Sequence, residues 1–165
     1  MTGHIVQPIL IAACGNMLAG DDAFGPLVAR ELMRHKLEGV EVVDLGMRPA
    51  GLLDHLPGRR AVIIVDAAVS PGTTPGVLIE MDFFAPPPAH RPALCADRAT
   101  STHALSIAGQ LELAQALGLL PDTVRLLALI VEKIDIGTEA AHARVHVPAA
   151  MALLQRLVRT LKMDV

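Results

Sequence analysis

One stretch near the start of the chain decides its fold: Ile9-Leu10-Ile11-Ala12-Ala13-Cys14-Gly15-Asn16-Met17-Leu18-Ala19-Gly20-Asp21-Asp22-Ala23-Phe24-Gly25. It begins as an apolar run rich in branched residues, breaks at Gly15-Asn16 and then passes two adjacent carboxylates. Apolar residues then recur at helical spacing, at Phe24, Leu27, Val28 and Leu32. This pattern predicts a strand, a turn and a helix. In an open parallel sheet such a turn lies at the carboxyl ends of the strands, where ligands bind, so we expect chemistry at Asp21-Asp22.

Composition limits the class of protein. The chain has 165 residues, which is enough for one domain that buries about 70% of its unfolded surface. Its formal net charge is -3, and no basic stripe interleaved with aromatic residues is present, which argues against nucleic-acid binding. The longest apolar runs, at residues 62–65 and 126–131, are far shorter than the roughly 20 residues of a membrane span. The first residues lack the features of a secretory signal, so we expect a cytoplasmic protein without membrane contact.

Strand and helix patterns alternate along the chain. We predict strands at residues 9–14, 40–44, 61–66, 77–81 and 124–131, and helices at 24–36, 49–56, 103–117 and 148–162. Residues 83–100 are rich in Pro and Ala and show neither period. The third strand is apolar on both faces, as a central strand covered by helices requires. The prediction is an α/β three-layer sandwich in one domain, residues 1–165, with a twisted, mostly parallel mixed sheet and helices on both faces.

Polar residues mark the same rim of this predicted sheet. Asp22 follows the first strand, Asp44 ends the second, Asp66 ends the third, and His103 opens a helix. A carboxylate at the end of an apolar central strand is costly to bury unless it is paired, hydrogen-bonded or bound to a cation, so Asp66 needs a partner. Two carboxylates and one imidazole would make a three-ligand site with open positions, which suits a divalent cation such as nickel or zinc.

Three segments carry a family resemblance: Gly15 to Gly25 as quoted above, Val65-Asp66-Ala67-Ala68, and Ser101-Thr102-His103-Ala104-Leu105. They resemble the signature segments of the hydrogenase maturation proteases, endopeptidases that remove the C-terminal extension from the precursor of the nickel-iron hydrogenase large subunit. The resemblance implies that Asp22, Asp66 and His103 are the nickel ligands and the catalytic residues. Many members have Glu at the position of Asp22, and the ligand role is compatible with either residue.

The resemblance also implies a substrate-binding set, namely Gly15, Asn16, Asp21, Asp44 and Gly46. Within it Gly15 and Asn16 shape the turn for close backbone approach, and Asp21 caps a helix or orients the loop. The family's Asp-Gly-Gly-Thr-like segment, associated with substrate recognition, reads Asp44-Leu45-Gly46-Met47 here. Met47 therefore stands where the family has Thr, at a position that bears on the choice of hydrogenase.

The implied mechanism is assisted by the substrate. The nickel belongs to the hydrogenase large-subunit precursor, and the isolated protease can lack it or carry another divalent ion. Docking on that ion would place the scissile bond over the rim, where the metal or a carboxylate polarises the carbonyl or activates water. We expect a monomer whose partner is the precursor. The alternative is a non-catalytic nickel-dependent chaperone or binding protein for a hydrogenase subunit, because engaging a metal does not require bond cleavage.

Simpler interpretations stay open for each residue. Asp22 could cap the first helix, Asp66 could accept hydrogen bonds from a turn, and His103 could be an ordinary residue at a helix end. A cysteine or serine hydrolase using Cys14, Cys95 or Ser101 is disfavoured because no GxSxG elbow exists. A nucleotide-binding module is disfavoured because GxGxxG is absent and two carboxylates at the helix start would repel phosphate.

Overall fold

The computed structural model describes residues 6–70, 72–85, 93–94 and 107–163. The strands in these residues are β1 Ile9–Cys14, β2 Val40–Gly46, β3 Ala61–Val69, β4 Leu78–Asp82, β5 Ala93–Leu94 and β6 Thr123–Val131. They form one sheet in the order β2-β1-β3-β6-β4. The first four strands in this order are parallel, β4 runs antiparallel at the edge, and β5 pairs antiparallel with the end of β3. The sheet is therefore mixed and mostly parallel, as predicted.

Helices cover both faces of the sheet. The described helices are α1 Phe24–Arg34, α2 Leu52–His55, α3 Ile107–Ala116 and α4 Ala141–Met163, and short 3-10 turns at Gly20–Ala23 and Pro49–Gly51 precede α1 and α2. None of these helices combines the length and apolar character that a membrane span requires.

The alternation of side chains along β3 divides the core into two layers. Ile63, Val65 and Ala67 pack with α1 and α4 on one face, whereas Val62 and Ile64 pack with α2 and α3 on the other. Nearly all of these side chains are aliphatic, in keeping with the scarcity of aromatic residues. Helices packed on both faces confirm the α/β class; that residues 1–165 form a single domain stays a prediction.

The prediction for the end of β3 was wrong. β3 continues to Val69, so Asp66 lies within the strand and pairs with Ala128 of β6. The extra residues stay in the strand because Ala67 and Ala68 keep their register with β6, and Ala68 also pairs with Leu94 of β5.

The prediction for the start of the last helix was also wrong. α4 begins at Ala141 and contains Pro148 in its interior. The helix starts seven residues earlier than predicted because Ala143 already packs in the core, which overrides the local preference for Pro at the first helical position. Met151, Leu154 and Val158 of this helix are buried in the core.

Candidate functional site

Asp22 is fully buried in the turn that joins β1 to α1. Its Oδ2 accepts a hydrogen bond from the backbone N–H of Asn16 at 2.7 Å, and its own N–H donates to the carbonyl of Ala19 at 3.1 Å. Gly15 lies so close that a Cβ built there would be 2.0 Å from the carbonyl oxygen of Asp22. Its φ of +140° also favours glycine. The turn therefore folds tightly around the Asp22 carboxylate.

Asp66 is the second buried carboxylate, with 1% of its surface exposed. Its Oδ1 accepts a hydrogen bond from the N–H of Ala67 at 2.8 Å. Because side chains alternate along β3, Asp66 belongs to the face that carries Val62 and Ile64, which is the face covered by α2 and α3. The carboxylate thus points away from the α1 and α4 layer.

The start of α1 packs closely on the two strands that precede and carry the carboxylates. A Cβ built on Gly25 would lie 2.1 Å from the carbonyl oxygen of Cys14 and 2.8 Å from that of Val65. Gly25 is three residues after Asp22, and Val65 immediately precedes Asp66. Only a glycine lets the helix pack this closely on the end of β1 and on β3 beside Val65, so this contact fixes the start of α1 against both strands.

Cys14 lies among the carboxylates as a buried free thiol. Burial raises the pKa of the Cys14 thiol, and the nearby charges of Asp66, Asp44 and Asp22 raise it further. All three carboxylates are therefore close enough to act on one sulfur atom. A thiol held in its neutral form is a weak nucleophile, which argues against a cysteine hydrolase that uses Cys14.

The end of β2 supplies the exposed part of the rim. Asp44 is exposed, and its Oδ1 accepts a hydrogen bond from the N–H of Gly46 at 2.9 Å. Gly46 adopts φ +53°, and its carbonyl accepts a hydrogen bond from the N–H of Gly15 at 3.0 Å. Two segments predicted for substrate binding are therefore joined by a backbone hydrogen bond. Met47, 64% exposed, follows directly.

Asp21 faces away from this rim. Its Oδ1 accepts a hydrogen bond from the N–H of Ala143 in the first turn of α4 at 2.9 Å. The predicted capping role is therefore observed, but on α4 instead of α1. Local sequence could not show this contact because its partners are 122 positions apart. One feature of the sequence could have indicated a cap from elsewhere in the chain: Ala140, directly before α4, has no side-chain acceptor. Substrate contact by Asp21 stays a prediction.

His103, the third predicted ligand, lies outside the described residues, as do Ser101 and Cys95. Within the described ranges, no three His, Cys, Asp or Glu side chains are grouped so that they could hold one metal ion. The roles predicted for Asp22, Asp66 and His103 therefore stay predictions. The simpler interpretation of Asp22 as a cap of α1 does not match the hydrogen bonds: no side-chain cap is found at the start of that helix, and the Asp22 carboxylate bonds back to Asn16.

Two known proteins with similar sequences carry names from hydrogenase maturation. The Hydrogenase 2 maturation protease of Escherichia coli is 29% identical over 129 residues, covering 77% of this chain and 75% of the relative. A Methanocaldococcus jannaschii protein whose name also assigns it to hydrogenase maturation is 42% identical over 73 residues, covering 41% of this chain. The alignment spans 47%, less than half, of that relative's length.

Solved structures agree on the fold. The hydrogenase maturating endopeptidase HybD from E. coli superposes with a TM-score of 0.74 at 24% identity, and the match covers 92% of each chain. The family model HycI, hydrogenase maturation protease, matches residues 26–154, which is most of the sequence and includes Asp66 and His103. The chain therefore belongs to the hydrogenase maturation protease family.

Proposed function

We propose that this protein is an endopeptidase that removes the C-terminal extension of a nickel-iron hydrogenase large-subunit precursor after nickel has been inserted. Asp22, Asp66 and His103 engage the precursor's nickel and form the catalytic site. The nickel is part of the substrate, and the protease recognises it as evidence that metal insertion is complete.

The observation that carries the proposal is a pair of buried carboxylates in a member of this family: Asp22 in the turn after β1, and Asp66 within β3. Asp22 and Asp66 are almost without solvent exposure, and the charges of both raise the pKa of the nearby Cys14 thiol. Two nearby buried negative charges raise each other's energy, and a divalent cation between them relieves this cost. The pair is thus suited to an ion that arrives with the substrate.

The position of α3 supports His103 as the third ligand. Asp66 belongs to the sheet face on which α3 packs through Ile107 and Leu111. His103 precedes the first described residue of α3 by four positions. His103 is therefore close in sequence to the layer that Asp66 faces, and its imidazole would complete a set of two oxygen donors and one nitrogen donor for nickel.

The rim around this site would receive the peptide. Gly15, Asn16, Asp44 and Gly46 form a connected edge through the hydrogen bond between Gly15 and Gly46. With the scissile bond over this edge, water adds to the carbonyl carbon, the carbon–nitrogen bond breaks, and a rim carboxylate takes the proton of the water and returns one to the leaving amine. We further propose that the protein acts as a monomer in the cytoplasm, with the large-subunit precursor as its partner.

Intact-mass spectrometry of the large subunit tests the proposal. After incubation of the nickel-loaded precursor with the wild-type protein, we expect the subunit to lose the mass of its extension. Asp66→Asn and His103→Ala should abolish this loss, because each removes a proposed ligand. Circular dichroism should show both variants folded, which separates a loss of chemistry from unfolding.

Two results would contradict the proposal. If the precursor binds the wild-type protein but keeps its full mass, the protein acts as a nickel-dependent chaperone. If Asp66→Asn and His103→Ala trim the precursor as fast as the wild type does, the proposed site is wrong even though the protein is a protease.

A further inference from the structure

The first turn of α4 is capped by a residue from the opposite end of the chain. The first N–H groups of an α-helix have no carbonyl partner within the helix, and a side chain usually supplies one. At α4 the preceding residue, Ala140, has no side-chain acceptor, and the first intrahelical bond runs from Arg144 N–H to the Ala140 carbonyl. Asp21 Oδ1 accepts from the Ala143 N–H instead, at 2.9 Å.

Two more contacts attach the turn between β1 and α1, which contains Asp21, to the loop before α4. The N–H of Gly137 donates to the carbonyl of Leu18 at 2.7 Å. Gly20 adopts φ +56°, and a Cβ built there would lie 2.3 Å from Oγ1 of Thr138. Within the four residues that precede Asp22, three are thus held by the segment from Gly137 to Ala143: Leu18, Gly20 and Asp21.

Asp22 is held from the opposite side. Its carboxylate accepts the Asn16 N–H, and Gly15 packs against its carbonyl oxygen. Adjacent carboxylates therefore have different surroundings: Asp21 is bound to α4, whereas Asp22 is buried beside the end of β1. The contact at Asp21 is a side-chain hydrogen bond from the β1–α1 turn to α4, at the residue directly before Asp22.

We infer that Asp21 is a positioning residue, which fixes Asp22 in the site by capping α4 across the fold. This role rests on the proposed function. It requires a hydrogen-bond acceptor at Oδ1 but does not require a negative charge, because Asn caps a helix about as well as Asp does. A residue that contacts the substrate through its charge has the opposite requirement. Asp21→Asn and Asp21→Ala therefore separate the two roles.

The experiment compares these two variants in the trimming of nickel-loaded precursor, at a temperature where circular dichroism shows each fully folded. We expect Asp21→Ala to lower kcat/KM at least tenfold, and Asp21→Asn to stay within twofold of the wild type. Ala152→Gly is the matched control: it weakens α4 at an exposed position, away from the turn, by lowering helix propensity. It should keep full activity.

Amide hydrogen exchange gives a second readout that does not depend on activity. The Asn16 amide donates to the Asp22 carboxylate, so its exchange reports on the position of Asp22. We expect faster exchange at Asn16 in Asp21→Ala, and wild-type exchange in Asp21→Asn and Ala152→Gly. If the wild-type protein does not trim the precursor, the proposed function fails, and this readout still decides the inference.

Three outcomes would overturn the inference. Full activity and unchanged Asn16 exchange in Asp21→Ala would show that the cap does not position Asp22. Equal loss in Asp21→Asn and Asp21→Ala would show that the charge of Asp21 is what matters. An equal loss in Ala152→Gly would show that any weakening of α4 has the same effect.

Discussion

Replacing Gly25 with Ala tests the close packing of α1 on the sheet. Gly25 lies in the first turn of α1, and helix propensity alone predicts that Ala there would stabilise the protein by about 1 kcal/mol. The structure predicts the reverse. The new Cβ would lie 2.1 Å from the Cys14 carbonyl oxygen and 2.8 Å from that of Val65, and both atoms belong to strand backbone that cannot rotate away.

The size of the effect follows from these distances. Ordinary contact between such atoms needs about 3.5 Å, so the helix start would have to move by more than roughly 1 Å. Overpacking of this kind typically costs about 1–3 kcal/mol and occasionally more. Because backbone is displaced, we expect the upper part of this range, and a net loss in the free energy of unfolding of about 2 kcal/mol after the gain in propensity. For a chain of this length that lowers Tm by about 4–8 °C.

Urea denaturation followed by far-UV circular dichroism measures this loss, since the chain has no Trp or Tyr for fluorescence. The matched control is Gly51→Ala, where φ is -63° and the Cβ would meet only Leu45 Cδ2 at 3.4 Å. Gly51→Ala should leave the free energy of unfolding unchanged or raise it by up to about 1 kcal/mol. Gly25→Ala at or above wild-type stability would refute the argument that the close approach of α1 to β1 and β3 requires glycine at this position.

Three further predictions concern the core, the last helix and the thiol. Gln110 is 1% exposed, and neither polar atom of its side chain has a hydrogen-bond partner among the described residues. Gln110→Leu should therefore raise the free energy of unfolding in urea by about 1–3 kcal/mol, and a decrease would contradict this. Pro148→Ala should raise it by at least about 1 kcal/mol, since an interior Pro removes a helical hydrogen bond, and an unchanged midpoint would count against that reasoning. Iodoacetamide at pH 8 should modify Cys14 roughly a hundredfold more slowly in the native protein than in urea, because the thiol is buried and its pKa is raised. Peptide mass spectrometry measures the labelling, and rapid labelling of the native protein would contradict this prediction.

The main strands and the first helix could be predicted because their signals are local. The apolar run of β1, the break at Gly15 and the helical period after Phe24 all lie within one short stretch, and the observed strand, turn and helix follow it closely. The antiparallel direction of β4 was not specified by the sequence, because strand pairing depends on partners that are far apart along the chain.

Contacts between distant segments account for what sequence reasoning missed. The sequence predicts the start of α4 at Pro148, whereas the helix begins at Ala141. The residues around Ala141 carry no local capping signal, because the cap comes from Asp21, which is far away along the chain. Asp66 was placed at a strand end because its apolar run stops there, whereas pairing with β6 carries the strand on to Val69. That Asp22 follows β1 and Asp66 belongs to the neighbouring parallel strand β3 could be predicted, since polar residues of parallel strands gather at one edge of the sheet. The close packing of α1 on both strands through Gly25 could not, because it depends on contacts between distant segments.

In the proposed function, Asp22 and Asp66 detect nickel in a hydrogenase precursor before a peptide bond is cut. The most direct test is to incubate the wild-type protein with one precursor prepared in two forms, nickel-loaded and nickel-free, and to measure the intact mass of the large subunit over time. We expect loss of the C-terminal extension from the nickel-loaded form alone. Equal trimming of both forms would contradict it.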